Sequence, residues 1–335
     1  MAAAKKKELK AGVVGYGPAF GMGKAHLNSM RADAGFVPWA VCDLQPERLE
    51  AARADFPGIE TYDDLGELLR KSDVELLSII LPHNLHAPAA IQCLNAGRHV
   101  VTEKPFALSV EECDRMIAAA KAHKVMLSAF HNRHWDANIL TIMRHLGEIG
   151  RPFRWESFHG GYAKPGSWWR SDKKISGGII FDWGAHFTEW MLQVMPYEMT
   201  EISGFGIKEV WPEATIEDEV EAVVRFRGDA VGSHTQSMAA AAEKPMIRIC
   251  GTKGAMLATH NSVVIHTVDK RGNRIATTVP MEKGDQGRYY ANVGDHVLRG
   301  KPLIITAELA RRVIQVLDYA SRSAQQHKAL KPKYS

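Results

Sequence analysis

An apolar run from Ala11 to Val14 leads into Gly15-Tyr16-Gly17-Pro18-Ala19-Phe20-Gly21-Met22-Gly23, and a helical pattern follows from Lys24 to Arg31. Strand, glycine cluster and helix in that order suit a dinucleotide. Residues without a Cβ let backbone N–H groups approach a pyrophosphate, and the helix N-terminus then faces its negative charge. Asp43 closes a second expected strand, Val37 to Asp43, where a carboxylate can accept hydrogen bonds from the adenosine ribose hydroxyls. The third glycine of a G-x-G-x-x-G turn would fall on Phe20, and Gly21 comes one residue late, so a longer loop or a shifted helix start must absorb the extra residue. Gly15, Gly17, Phe20, Gly21 and Asp43 are therefore the expected contacts of the adenosine and pyrophosphate half. Leu44 and Gln45 follow Asp43 with no adjacent arginine to hold a 2′-phosphate. That favours NAD over NADP, while Arg48 on the next helix keeps NADP open.

The residues up to about 130 continue this alternation. Pro46 to Phe56, Asp63 to Leu69, His86 to Asn95 and a helix capped by Ser109 and Glu112 read as helices; Glu75 to Leu81, His99 to Thr102 and Val125 to Ala129 read as strands. A parallel, doubly wound α/β sheet follows from that order. Beyond residue 150 the pattern changes. Pro152 to His159, Glu201 to Val210, Glu219 to Phe226, Gly232 to Met238, Met246 to Cys250 and Val263 to Val268 are strand-like. One helix precedes most of them, Asp182 to Val194, and Thr306 to Ser323 closes the chain. This is an α+β domain on a mostly antiparallel open sheet. A chain of 335 residues exceeds one compact core, so the expected division is 1–130 and 131–335.

Composition excludes several classes. The net charge is +4, part of it in Lys5-Lys6-Lys7, with no dense basic block of the kind that tracks nucleic acid. No run approaches the roughly 20 apolar residues of a membrane span, and the first ten residues lack the apolar core of a signal peptide. Cys42, Cys93, Cys113 and Cys250 are widely spaced and read as buried reduced thiols, which fits a cytoplasmic protein. His83/His86 and His131/His134 have metal-compatible spacing, but neither pair has a cysteine or acidic partner at ligand spacing, so no metal is expected.

Glu103-Lys104-Pro105 follows the fifth strand, at the carboxyl edge where open parallel sheets bind ligands. With it the sequence resembles the glucose–fructose oxidoreductase / inositol dehydrogenase (Gfo/Idh/MocA) family over nearly its whole length. The resemblance runs from the glycine loop and His26 through Pro82-x-x-x-His86, Glu103-Lys104-Pro105, Asn132-Arg133, Trp169-Arg170 and Gly177-Gly178. It continues in Asp182-x-x-x-His186, Gly251-Thr252-Lys253-Gly254 and Gly300-Lys301-Pro302. It implies a Rossmann domain followed by a substrate domain whose open sheet often joins a homodimer or homotetramer. It also implies cofactor contacts from Pro82, His83, His86, Glu103 and Lys104, with Arg133, Trp169 and Arg170 at the junction with substrate. The chain departs from the family pattern in its longer glycine loop and in His83, where asparagine is frequent.

Asp182 and His186 stand four apart on an expected helix and would share a face. The implied chemistry is reversible hydride transfer between nicotinamide C4 and a carbinol carbon of a sugar, cyclic polyol or related small molecule. An imidazole titrates in the useful range, so His186 is the expected proton acceptor. Lys104 is the expected donor to the developing alkoxide, or the two exchange roles. Asp182 would orient substrate hydroxyls or the catalytic pair. Trp168, Trp169 and Trp183 suit a sugar face or a core equally. Two other functions compete: an NAD-dependent glycosidase that oxidises its sugar transiently, and a non-catalytic protein that works by protein contact. The Lys104, Asp182 and His186 set argues against the latter.

Overall fold

The computed structural model describes residues 8–17, 21–33 and 35–335; Phe20, expected at the cofactor, lies outside the described residues. In the first part the strands are β1 (Leu9–Val14), β2 (Phe36–Cys42), β3 (Glu60–Tyr62), β4 (Leu76–Ile79), β5 (His99–Thr102) and β6 (Leu127–Ala129). The helices between them are α1 (Met22–Asp33), α2 (Pro46–Asp55), α3 (Leu65–Lys71), α4 (His86–Asn95) and α5 (Val110–His123). All pairings are parallel and the order is β3-β2-β1-β4-β5-β6. This is the strand order of a dinucleotide-binding sheet, which reverses direction between β1 and β4. The inner strands read as continuous apolar runs because helices cover both faces.

α6 (Ala137–His145) leads to β7 (Pro152–Gly160), followed by α7 (Lys173–Ser176), α8 (Gly184–Val194), β8 (Met199–Ile207), β9 (Glu219–Phe226) and β10 (Ala230–Ser237). β11 (Ile247–Gly251), β12 (Gly254–Ala258), β13 (Val263–Val268), β14 (Arg274–Val279), α9 (Arg288–Arg299) and α10 (Ala307–Gln326) complete the chain. The second sheet has eight strands in the order β14-β13-β12-β11-β7-β10-β9-β8. Only β7 and β10 pair in parallel; the flanking strands form antiparallel hairpins. One face is closely covered: a Cβ on Gly204 of β8 would lie 2.0 Å from the Ala320 carbonyl oxygen of α10, and Phe187 of α8 stacks on His234 of β10. Strands β3, β12 and β14 and helices α6, α7 and α9 are additions to the sequence reading. The expected helix from Asp182 begins two residues later, at Gly184, because a short 3-10 turn (Ile179–Phe181) ends at Asp182.

Two compact units result. One comprises the chain up to Ala107, Glu111–His131 and Gly287–Ala310; the other comprises Leu108–Val110, Asn132–Gln286 and Arg311–Ser335. Residues 287–310, which the sequence reading placed in the second domain, therefore return to the first. The reason is aromatic packing. Tyr289 and Tyr290 of α9 are buried against Phe130 and each other, and the Tyr289 hydroxyl lies 2.8 Å from Ser128 Oγ of β6. All four cysteines are free thiols, three of them buried. Among the described residues no helix is long and apolar enough to cross a membrane.

Candidate active site

In the first unit the register brings four strand ends level. Val14 pairs with Cys42 and Ile79, and Ile79 with Thr102, so Gly15, Asp43, Ile80 and Glu103 all leave the sheet at its carboxyl edge. Gly15 has φ +97°, and a Cβ there would lie 2.0 Å from the Ile80 carbonyl oxygen. Only glycine fits this close approach at the point where the strand order reverses. Gly21, at φ +59°, lies next to the start of α1 with open space around its Cα. A Cβ on Gly23 would sit 2.7 Å from the Tyr16 ring and 3.0 Å from its Cα. Gly23, rather than the Phe20 or Gly21 positions weighed from spacing, thus lets the helix close on the strand, the task of the third glycine in the G-x-G-x-x-G turn. The extra loop residues explain the offset.

Asp43 is buried; its carboxylate accepts from the Tyr16 amide at 2.7 Å and the Gln45 amide at 3.0 Å, with Arg48 at 3.4 Å. A cleft of about 280 Å³ opens beside the glycine loop, lined by Tyr16, Gly17, Gly21, Lys24, Arg48 and Asp55 among others. The Tyr16 hydroxyl donates to Asp55, which also pairs with Lys24. Glycines where side chains would collide, a helix N-terminus and an acid at the next strand end fit a dinucleotide.

Pro82 precedes a 3-10 turn (His83–Leu85) that runs directly into α4. His83 and His86 are both buried. His86 Nδ1 lies 2.7 Å from the Pro105 carbonyl and Nε2 2.9 Å from that of Leu81. Burial pushes its pKa down. Both ring nitrogens face the backbone, and since a neutral ring carries one N–H, His86 donates to one of these two carbonyls, between the Lys104-Pro105 loop and the end of β4. Glu103 is likewise engaged from within, accepting from His26 Nε2 at 3.0 Å and the Lys104 amide at 2.9 Å. Burial pushes the Glu103 carboxyl up, but the His26 and Lys104 interactions outweigh it and hold its pKa below the usual carboxylate value. The Lys104–Pro105 peptide is cis.

The second unit gathers the other candidates around the start of α8. Asp172 caps α7 by accepting from the Lys174 amide, and Glu217 accepts from the Ile179 amide and Lys173. These bonds fix the stretch from Trp168 to Asp182. Arg170 Nε lies 3.9 Å from Asp182 Oδ2, and its guanidinium sits 4.7 Å from the rings of both Trp168 and Trp169. Asp182 precedes α8 instead of lying on it, and the Gly184 amide donates to Gln236 of β10. His186 is buried in the first turn, 5.5 Å from Trp183. Arg133 stands 4.9 Å from the Trp183 ring, pairs with Asp136 at 2.9 Å, and offers its carbonyl to the Trp190 indole.

His159 stacks on Trp183 at 4.4 Å, and His260 lies 6.2 Å away in the turn between β12 and β13. Trp183, half-buried, is therefore flanked by His159 and Arg133. His159 and His260 escaped the sequence reading, since neither a strand end nor a hairpin tip has a distinctive motif. His134 Nδ1 lies 2.6 Å from Glu189 of α8.

This geometry can be set against known proteins. The profile described as "Oxidoreductase family, NAD-binding Rossmann fold" matches residues 9–131, and the one described as the GFO/IDH/MocA C-terminal domain matches residues 143–257. The chain belongs to the Gfo/Idh/MocA family. Like other Gfo/Idh/MocA proteins, it is an NAD-binding oxidoreductase. It is 23% identical to scyllo-inositol 2-dehydrogenase (NADP(+)) IolW of Bacillus subtilis, over 97% of this chain and 96% of that one. It is 26% identical to myo-inositol 2-dehydrogenase of Thermotoga maritima, over 79% and 80%. The solved structure of the putative oxidoreductase yvaA of Bacillus subtilis superposes with a TM-score of 0.88 at 21% identity, covering 99% of this Gfo/Idh/MocA chain and all of that one.

Proposed function

We propose that this chain interconverts a carbinol and a carbonyl on a sugar or cyclic polyol, with Lys104, Asp182 and His186 as its working groups. The observation that carries the reading is Lys104 itself, fixed at the carboxyl edge of β5 level with the glycine loop. Bound NAD supplies the hydride acceptor at nicotinamide C4. As the C–H bond breaks and the carbonyl forms, His186 takes the hydroxyl proton at a ring nitrogen. Lys104 donates a hydrogen bond to the same oxygen and stabilises the charge that develops there. Asp182, with Arg170 beside it, orients neighbouring hydroxyls. Arg133 and Trp169 contribute to the substrate side of the reading, and Pro82 and His83 to the cofactor side.

The named activities of IolW and the Thermotoga enzyme support a polyol substrate. Asp43 supports NAD over NADP, because its carboxylate stands where a 2′-phosphate would be repelled, although Arg48 partly offsets it. The reading places the enzyme in the cytoplasm as a homodimer or homotetramer through its open sheet.

A screen of sugars, inositols and glycosides with NAD and NADP, following NADH absorbance and product release, tests the activity. Glycoside cleavage without net NADH would turn the reading toward a redox-assisted glycosidase. On the best substrate, Lys104→Ala and His186→Ala are each expected to lower kcat about 100-fold or more. Full turnover in Lys104→Ala would sink the assignment.

A further inference from the structure

Behind Lys104 runs a buried chain of polar groups with no assigned role. Ser78 Oγ of β4 lies 2.9 Å from the Tyr290 hydroxyl, which lies 2.5 Å from His26 Nδ1 on α1. His26 Nε2 lies 3.0 Å from one Glu103 oxygen, and the other Glu103 oxygen accepts the Lys104 amide at 2.9 Å. Ser78 is fully buried, and His26 and Tyr290 are each 1% exposed. A carboxylate only accepts, so His26 Nε2 carries hydrogen and donates to Glu103. Burial pushes the Tyr290 pKa far up, so the phenol keeps its proton and bridges His26 and Ser78. In such a chain each bond polarises the next.

We propose that Tyr290 and His26 are positioning residues for Lys104, acting through the Glu103 carboxylate. The chain meets Lys104 from the amide side through Glu103, and His86 approaches from the other side, its ring 2.7 Å from the Pro105 carbonyl one peptide further on. Nothing in the core requires so many polar groups, since apolar side chains of the same shape would fill that space without the cost of desolvation. The link to turnover rests on the catalytic reading of Lys104; the positioning itself does not.

The test uses the full-length protein and needs no substrate. Competitive acetylation with isotope-coded acetic anhydride, read by mass spectrometry across pH, reports the state of the Lys104 amine. Tyr290→Phe keeps the ring packed on Phe130 and removes only the hydroxyl. Glu103, then less firmly anchored through His26, is held less closely beside Lys104 and offers it a weaker field. The labelling midpoint of Lys104 is expected to fall by about half a pH unit or more, with Lys121 unchanged as a control. Glu103→Gln is expected to shift it further, and adding Tyr290→Phe to Glu103→Gln to change nothing, because both act through one carboxylate. An unchanged Lys104 midpoint in a folded Tyr290→Phe protein, or additive shifts in the double variant, overturns the proposal. If Tyr290→Phe does not fold, His26→Gln carries the same test by cutting the link one bond later. Full turnover in Lys104→Ala would defeat the catalytic reading while leaving the labelling result to decide the chain.

Discussion

At the scale of single residues the glycine loop shows how differently neighbouring glycines are constrained. Gly15 has both a positive φ and a carbonyl oxygen 2.0 Å from where its Cβ would be, whereas Gly21 has a positive φ and open space. Gly21→Ala is expected to cost about 1 kcal/mol, the backbone penalty alone. Gly15→Ala must also displace the end of β4, and is expected to cost several times that and to abolish NADH binding. Thermal melts and NADH titration of the two variants check this ranking; equal effects would mean the loop relaxes freely. Spacing alone singled out Gly15, because a strand leads directly into it. It did not single out Gly23, because the residue that packs helix on strand depends on how many residues the loop consumes. Asp43 was legible for the same reason as Gly15. The commitment of His86 and Glu103 to the protein interior was not, since His86 meets carbonyls of Leu81 and Pro105 and Glu103 meets a side chain 77 residues away.

At the scale of elements, α8 and β10 are joined by a titratable contact. His234 is buried, stacks on Phe187 at 4.7 Å, and lies 3.0 Å from Ser157 Oγ. Burial pushes its pKa down to about 3. The folded form therefore keeps the ring neutral where the unfolded chain, with an ordinary histidine pKa near 6.5, takes up a proton. The contribution is fully present above pH 6.5 and is lost as pH falls toward 3, by up to about 1.4 kcal/mol per pH unit. Denaturation at pH 7.5 and 5.5 is expected to show a smaller loss of stability in His234→Gln than in the parent. An undiminished loss would mean the folded ring is charged. The helix carrying His186 was legible from its apolar spacing. Its true start was not, because its first amide is held by Gln236, 52 residues away.

At the scale of the whole molecule, both sheets were legible as types, parallel then mostly antiparallel, because strand patterning follows which faces are covered. The face of the second sheet away from α8 and α10 bears Phe205 and Ile207, 60% and 47% exposed on the edge strand β8. A homo-oligomer joined through this sheet would cover them. Light scattering is expected to give a dimer or tetramer that Phe205→Lys weakens; a monomer at micromolar concentration would refute the assembly. The membership of residues 287–310 in the first unit could not be read from the sequence. α9 itself was not expected, and nothing local to Tyr289 and Tyr290 says that they are buried against Phe130.

That return has a consequence for the order in which the protein is made. Domains commonly fold as they emerge from the ribosome, first part first. Here Tyr289 and Tyr290, which complete the nucleotide-binding unit, are added only after the entire second sheet has been synthesised. His26, Phe130 and Ser128 wait for partners more than 150 residues downstream. A ribosome stalled before residue 287 would hold every strand of the second sheet while the first unit lacks α9 and the second lacks its closing segment from Arg311 onward.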